Sequence, residues 1–116
     1  MTHGNNPDCI IIVRPASIQN EEEMEHIKRL RFSGYKGCFK RPEHTLDEFD
    51  ALPSAINLIA YSSTDEPLGV MRLLDRRGGP IELDRFYDVP AILGEDIAGS
   101  CVEADRFTVE EVTATL

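Results

Sequence analysis

Short, dense apolar runs alternate along this chain with one stretch in which apolar residues recur every three or four positions. The run CIIIVR at 9–14 is apolar and β-branched and is closed by Pro15, which predicts a fully buried strand. From 20 to 35 the period becomes helical, with Met24, Ile27, Leu30 and Gly34/Tyr35 on one face. Asn20 stands as the cap, Glu23 follows three residues later as in a capping box, and Ile18 is placed to staple onto Met24. Acidic residues fill the first turn and basic ones the later turns, as the helix dipole prefers.

After the loop GCFKRPEH, the stretch Thr45-Leu46-Asp47-Glu48 repeats the capping-box spacing and predicts a short helix that ends before Pro53. INLIAYSS at 56–63 and LGVMRLLD at 68–75 read as two strands joined by the turn TDEP into an antiparallel hairpin. IELDRFYDVP at 81–90 fits either a short strand or a helical turn, and PAILGEDIAG at 90–99 either a short helix or a loop. A last strand is predicted at 100–109. The order strand, helix, helix, hairpin, irregular segment, strand predicts an α+β fold with a mainly antiparallel sheet and its helices collected after the first strand.

Length and composition narrow the reading. A chain of 116 residues is one domain with a modest core. No apolar run is long enough to span a bilayer and no signal-peptide core follows the polar start, so a cytoplasmic location is expected. The net charge of -9 argues against a general nucleic-acid binder. Half of the 12 basic residues (Lys28, Arg29, Arg31, Lys36, Lys40 and Arg41) nevertheless fall in one segment, either a solvated helix face or a patch able to dock an acidic partner. Cys9, Cys38 and Cys101 have neither disulfide nor zinc spacing and are expected to be buried, reduced thiols, with no metal site.

Several charges stand where apolar strands should be uninterrupted. Asp47 and Asp50, three residues apart on a short helix, share a face and repel unless cations compensate them. Arg72 lies between Met71 and Leu73 and, by alternation, on the opposite face, where pointing to solvent is one reading. Glu103 and Arg106 are three apart on the last strand, so strict alternation sends them to opposite faces. A β-bulge within 103–106 would bring them together.

Four blocks taken in order (LRFSGY at 30–35, LDEFD at 46–50, GVMRLLD at 69–75 and VEADRFTV at 102–109) resemble the N-terminal half of the acyl-homoserine-lactone (autoinducer) synthases and the related N-acyl amino acid synthases, divergent GNAT-like N-acyltransferases. The resemblance implies a single GNAT-like domain over 1–116, incomplete at its C-terminus, that moves an acyl group from an acyl-carrier protein or acyl-CoA thioester to an amine. It implies no permanently bound cofactor. It assigns Glu103 and Arg106 to catalysis, with Glu103 as general base, and Arg31, Asp47, Asp50 and Arg72 to substrate binding, ordering the loop around 36–45 over the acceptor pocket. Backbone N–H groups freed at a bulge would polarise the thioester carbonyl.

The chain has no Trp, which is common in the lactone synthases in the loop after the position of Tyr35. This weakens the S-adenosylmethionine version and favours the broader N-acyltransferase branch. The chain also offers no Gly-rich turn of the kind with which ordinary GNAT enzymes cradle pyrophosphate. With the family's later strands absent, the edge of the last strand is expected to be covered by a second copy, by the C-terminal tail or by a second polypeptide. A non-catalytic GNAT-like remnant or binding module, and an unrelated α+β ligand-binding domain, are the competing readings.

Overall fold

A computed structural model describes residues 10–110. Four strands, β1 (Ile11–Ala16), β2 (Ala55–Ser62), β3 (Pro67–Asp75) and β4 (Val102–Val109), form one antiparallel sheet in the order β1-β2-β3-β4. Helix α1 (Glu21–Gly34) follows β1, and two short helices, α2 (Val89–Leu93) and α3 (Glu95–Ser100), lie in the connection from β3 to β4. This is the mixed, mainly antiparallel layout that the pattern predicts. The two ambiguous segments are helical: a 3-10 turn at Glu82–Arg85, then α2 and α3.

The first strand is a correction. Ile11 to Pro15 are exposed and Ala16 is half-buried, rather than the run being fully buried, because among the described residues β1 is a sheet edge that pairs with β2 alone. Pro15 lies inside it, opposite Leu58, as an edge strand tolerates. Cys9 falls outside the described residues. Of the other thiols Cys101 is half-buried, whereas Cys38 is exposed, against the expectation of burial.

Helix α1 starts where its cap places it, with Asn20 Oδ1 accepting from the Glu23 N–H at 3.1 Å. The Glu23 carboxylate reaches past the cap and accepts from the Ser17 N–H at 2.9 Å, and Ile18 stays exposed instead of stapling. The second cap shifts by two residues. Thr45 closes a 3-10 turn, Pro42–Thr45, donating its hydroxyl to the Pro42 carbonyl at 2.7 Å, and the extended Leu46 after it means no helix starts at Thr45. Asp47 caps the next 3-10 turn, Glu48–Ala51, and Asp50 reaches back to the Asp47 N–H at 2.9 Å.

The core has two halves on the helical face of the sheet. Met24, Ile27 and Leu30 of α1 pack on Ile59, Tyr61 and Val70, while Phe49 and Leu74 pack with Ile81, Val89 and Ala98 of the β3–β4 connection. Val70 and Leu74 belong to different halves, and Arg72, which alternation places between them, stands at the seam. Gly34 meets β4 at the end of α1, where a Cβ would stand 2.6 Å from Thr108 Cβ.

The other sheet face carries no helix among the described residues. An apolar groove of about 320 Å³ runs across it, lined by Ile11, Val13, Leu58, Met71, Phe107 and Val109 among others. No helix of the described residues is long and apolar enough to cross a membrane.

Candidate functional site

Cross-strand register places three polar residues in one row. Asn57 of β2 pairs with Arg72 of β3, and Arg72 pairs with Asp105 of β4. All three project to the helical face, where Arg72 is fully buried. The reading of Arg72 as a solvent-facing side chain is therefore overturned: it is the hub of an ion network.

Its guanidinium makes a two-pronged bond to Asp105, from Nε at 2.8 Å and Nη2 at 2.9 Å. Nη1 donates to Asp47 at 2.6 Å and lies 3.3 Å from Asp50. Asp50 is in turn gripped by Arg31, at 3.0 and 2.9 Å. Arg31 also donates to Asn57 Oδ1 at 2.9 Å and to the Thr45 carbonyl at 3.1 Å, which ties down the end of the 36–45 loop.

The neighbouring carboxylates Asp47 and Asp50 are thus compensated, as their spacing requires. Burial pushes the Asp47 carboxyl up, but hydrogen bonds from Arg72 and Arg106 outweigh it and hold the group at about 2. Burial opposes charge on Arg72 too, and its bonds to Asp105 and Asp47 reverse the effect, so its charge is locked in.

The expected bulge is present. Val70 pairs with Thr108 and Arg72 with Asp105, so two steps on β3 match three on β4. Arg106 takes up the extra residue in the left-handed region, φ 51°. Its side chain therefore joins Glu103 and Asp105 on the ionic face, donating to Asp47 at 3.1 Å and to Glu82 at 2.6 Å. Phe107, the next residue, faces the apolar groove.

The two residues assigned to catalysis do not bond to each other. Glu103 accepts the Glu82 backbone N–H at 2.7 Å, while Arg106 takes the Glu82 carboxylate. Glu82, Glu103 and Asp105 each bring one oxygen within 4.8 Å of the others. Burial raises the Glu82 carboxyl above its ordinary value; Arg106 and Arg72 pull it down and Asp105 and Asp47 push it up.

All six expected residues therefore gather in one place, with five in a continuous chain of ion pairs from Arg31 to Arg106 and Glu103 beside it. Arg31, Asp50 and Arg72 are closed to solvent, and the ionic partners they touch are the protein's own. Sequence reasoning missed Asn57, Glu82 and Asp105. Asn57 and Asp105 carried the same signal as Arg72, a polar side chain inside an apolar strand, whereas Glu82 lay in a segment without a clear period. The basic segment at 28–41 is divided: Lys28 pairs with Glu25, Arg29 with Glu110, and Arg31 is buried.

No family model and no curated protein matches the chain. Among solved structures it is similar to FeeM, an N-acyl amino acid synthase from uncultured soil microbes, at a TM-score of 0.64 and 16% identity. The match covers 92% of this chain and 57% of that one. The likeness extends over most of this chain and shows that it shares the fold of the matched part of that protein.

Proposed function

We propose that the chain is an N-acyltransferase, or the part of one that holds the acceptor site, transferring an acyl group from an acyl-carrier protein or acyl-CoA thioester to the amine of an amino acid or related acceptor. The observation that carries this reading is the bulge at Arg106. It sets a carboxylate and a guanidinium side by side on an edge strand whose next residue, Phe107, turns to an apolar groove. The ionic cluster and the groove lie on opposite faces of the sheet. Arg106 and Phe107 are adjacent at the edge around which a zwitterion and an acyl chain would have to meet.

Three guanidiniums (Arg31, Arg72 and Arg106) face five carboxylates (Asp47, Asp50, Glu82, Glu103 and Asp105), a surplus of two negative charges that favours an ammonium. Glu103 takes a proton from that ammonium, directly or through water. The freed amine attacks the thioester carbonyl, the C–S bond breaks, and the thiolate leaves and is protonated. Backbone N–H groups at the bulge stabilise the oxygen charge that develops on the carbonyl. Arg106, the one arginine of the network with access to solvent, takes the acceptor carboxylate. Arg31, Asp47, Asp50 and Arg72 serve substrate binding as its frame, holding Arg106 and the 36–45 loop in place.

The second reading, a non-catalytic GNAT-like binding module, draws on the saturation of Arg31, Asp50 and Arg72 by protein partners. Incubation with long-chain acyl-CoA or acyl-carrier protein and an amino-acid mixture, followed by mass spectrometry, separates the two. N-acyl amino acid above the protein-free control supports the enzyme; thermal stabilisation by acyl-CoA without product supports the module. As for partners, a second copy or second polypeptide is expected over the exposed β4 edge, and a monomer at every dilution in gel filtration would argue against the second copy.

A further inference from the structure

The residue that occupies Glu103 and Arg106 is not a passive neighbour. Glu82 presents a backbone N–H to Glu103 at 2.7 Å and, from the same residue, a carboxylate to Arg106 at 2.6 Å. Those are the two groups that an amino-acid acceptor presents: a nitrogen donor to the base and a carboxylate to the arginine. In Glu82 they are joined through Cα, Cβ and Cγ, so three carbons separate the nitrogen from the carboxyl carbon. An α-amino carboxylate has one carbon there and cannot span both partners in the same way.

We propose that Glu82 fills the acceptor subsite as an internal stand-in, and that the acceptor it imitates carries its amine and carboxylate three carbons apart, as in 4-aminobutyrate or in glutamate engaged through its γ-carboxylate. The inference rests on the reading of Glu103 and Arg106 as the acceptor site and adds to it a substrate class and a means of self-occlusion.

The surroundings fit an occupant that can leave. Glu82 is the first residue of a single 3-10 turn, Glu82–Arg85, anchored behind by the buried Ile81. Its carboxylate has weaker company beyond Arg106, lying 3.6 Å from Arg72 and 4.0 Å from Arg85. Burial works against its charge, so the latch is held chiefly by Arg106. Arg85 pairs with Glu48 and lies over Phe49 at 4.6 Å, which keeps the turn nearby when Glu82 lets go. In the resting protein the subsite is open only in the fraction of molecules that have released Glu82, and apparent affinity falls by that fraction.

The test measures binding of 4-aminobutyrate by calorimetry and thermal shift, with no acyl donor present. Butyrate lacks the ammonium and glycine is too short, so these are the controls. In Glu82→Ala the Arg106 side of the subsite is vacant, and 4-aminobutyrate is expected to bind about tenfold or more tightly than in the unaltered protein, ahead of both controls. Arg106→Ala in the same background abolishes the gain. If Glu82→Ala fails to fold, Glu82→Gln, nearly isosteric and neutral, is expected to show the same order of ligands with a smaller gain. Equal binding of all three ligands, or no gain in either variant, overturns the proposal. Because the readout needs no turnover, the two readings fail separately. Binding without acylation refutes the enzyme; acylation of α-amino acids with no preference for the longer spacing refutes the stand-in.

Discussion

Replacing Arg72 by methionine keeps most of the side-chain volume and removes the charge at the seam of the two core halves. The variant leaves Asp105 without its two-pronged partner, Asp47 with Arg106 alone, and Asp50 with Arg31 alone. Deleting one member of a buried pair costs about 3–5 kcal/mol, because the remaining charge stays desolvated. A domain of this length has roughly 6–17 kcal/mol in total, so the loss removes between about a fifth and four-fifths of it. At roughly 4 °C per kcal/mol the melting temperature drops by about 12–20 °C.

Urea denaturation followed by circular dichroism, repeated from pH 7 downward, measures both size and cause. The gap between variant and unaltered protein is expected to narrow as pH falls below about 4, where the Asp47 carboxyl, freed from one of its two arginines, takes up a proton. Arg72→Lys keeps the charge but not the fork and falls between the two. A loss below about 1 kcal/mol, unchanged by pH, would refute the assignment of Arg72 as a buried counter-ion.

Three further outcomes are expected. Asp47, depressed from the ordinary 3.8 to about 2, contributes stability that is fully present above pH 3.8 and is lost as pH falls toward 2. Allowing for its partial exposure this is about 1–2 kcal/mol, to be read from urea midpoints between pH 2 and 5 and reduced in Asp47→Asn. Gly34→Ala drives a methyl into the β-branched Thr108 and is expected to destabilise by about 1–3 kcal/mol in thermal melts, although alanine is the better helix former. Glu103→Gln is expected to lower N-acylation by about 10²–10⁴-fold in the mass-spectrometric assay while leaving the melting temperature within a few degrees; undiminished turnover would remove Glu103 as the base.

The sequence carried local signals well and long-range ones poorly. Asn20 announced α1 because a cap acts on its own next three residues. The position of Thr45 misled because Thr45 ends the turn before it and the extended Leu46 intervenes before the next turn begins. CIIIV looked buried because an apolar run does not say which strand ends up at an edge. Burial there depends on what covers β1, and among the described residues Ile11 to Pro15 stay exposed while Ala16 alone of the strand packs on the core. The bulge could be inferred, since two charges three apart on a strand need a change of phase to act together. Glu82 could not: its role comes from a turn that crosses β4 at residues 103–106, a tertiary contact with no local trace.

The placement of the network explains why a protein of this size tolerates so costly a cluster. Arg72 separates an upper core, where α1 packs on Ile59 and Val70, from a lower one built on Phe49 and Leu74. Apolar side chains at 57, 72 and 105 would merge these into one layer and would serve stability at least as well. Charges there do something that packing does not. Arg72 donates its fork to Asp105 of β4 and its third bond to Asp47, the cap of the Glu48–Ala51 turn, so register and loop position are fixed together. The bulge that follows is then confined to Arg106 and Phe107, since Asp105 is pinned opposite Arg72 and Thr108 opposite Val70, and the left-handed φ of 51° falls at Arg106. A buried ion pair on β3 thus limits where the accessible pair on β4 is displayed to a two-residue window. The Arg72→Lys variant tests that coupling directly: it should loosen the Arg106 position and weaken acceptor binding even where the fold survives.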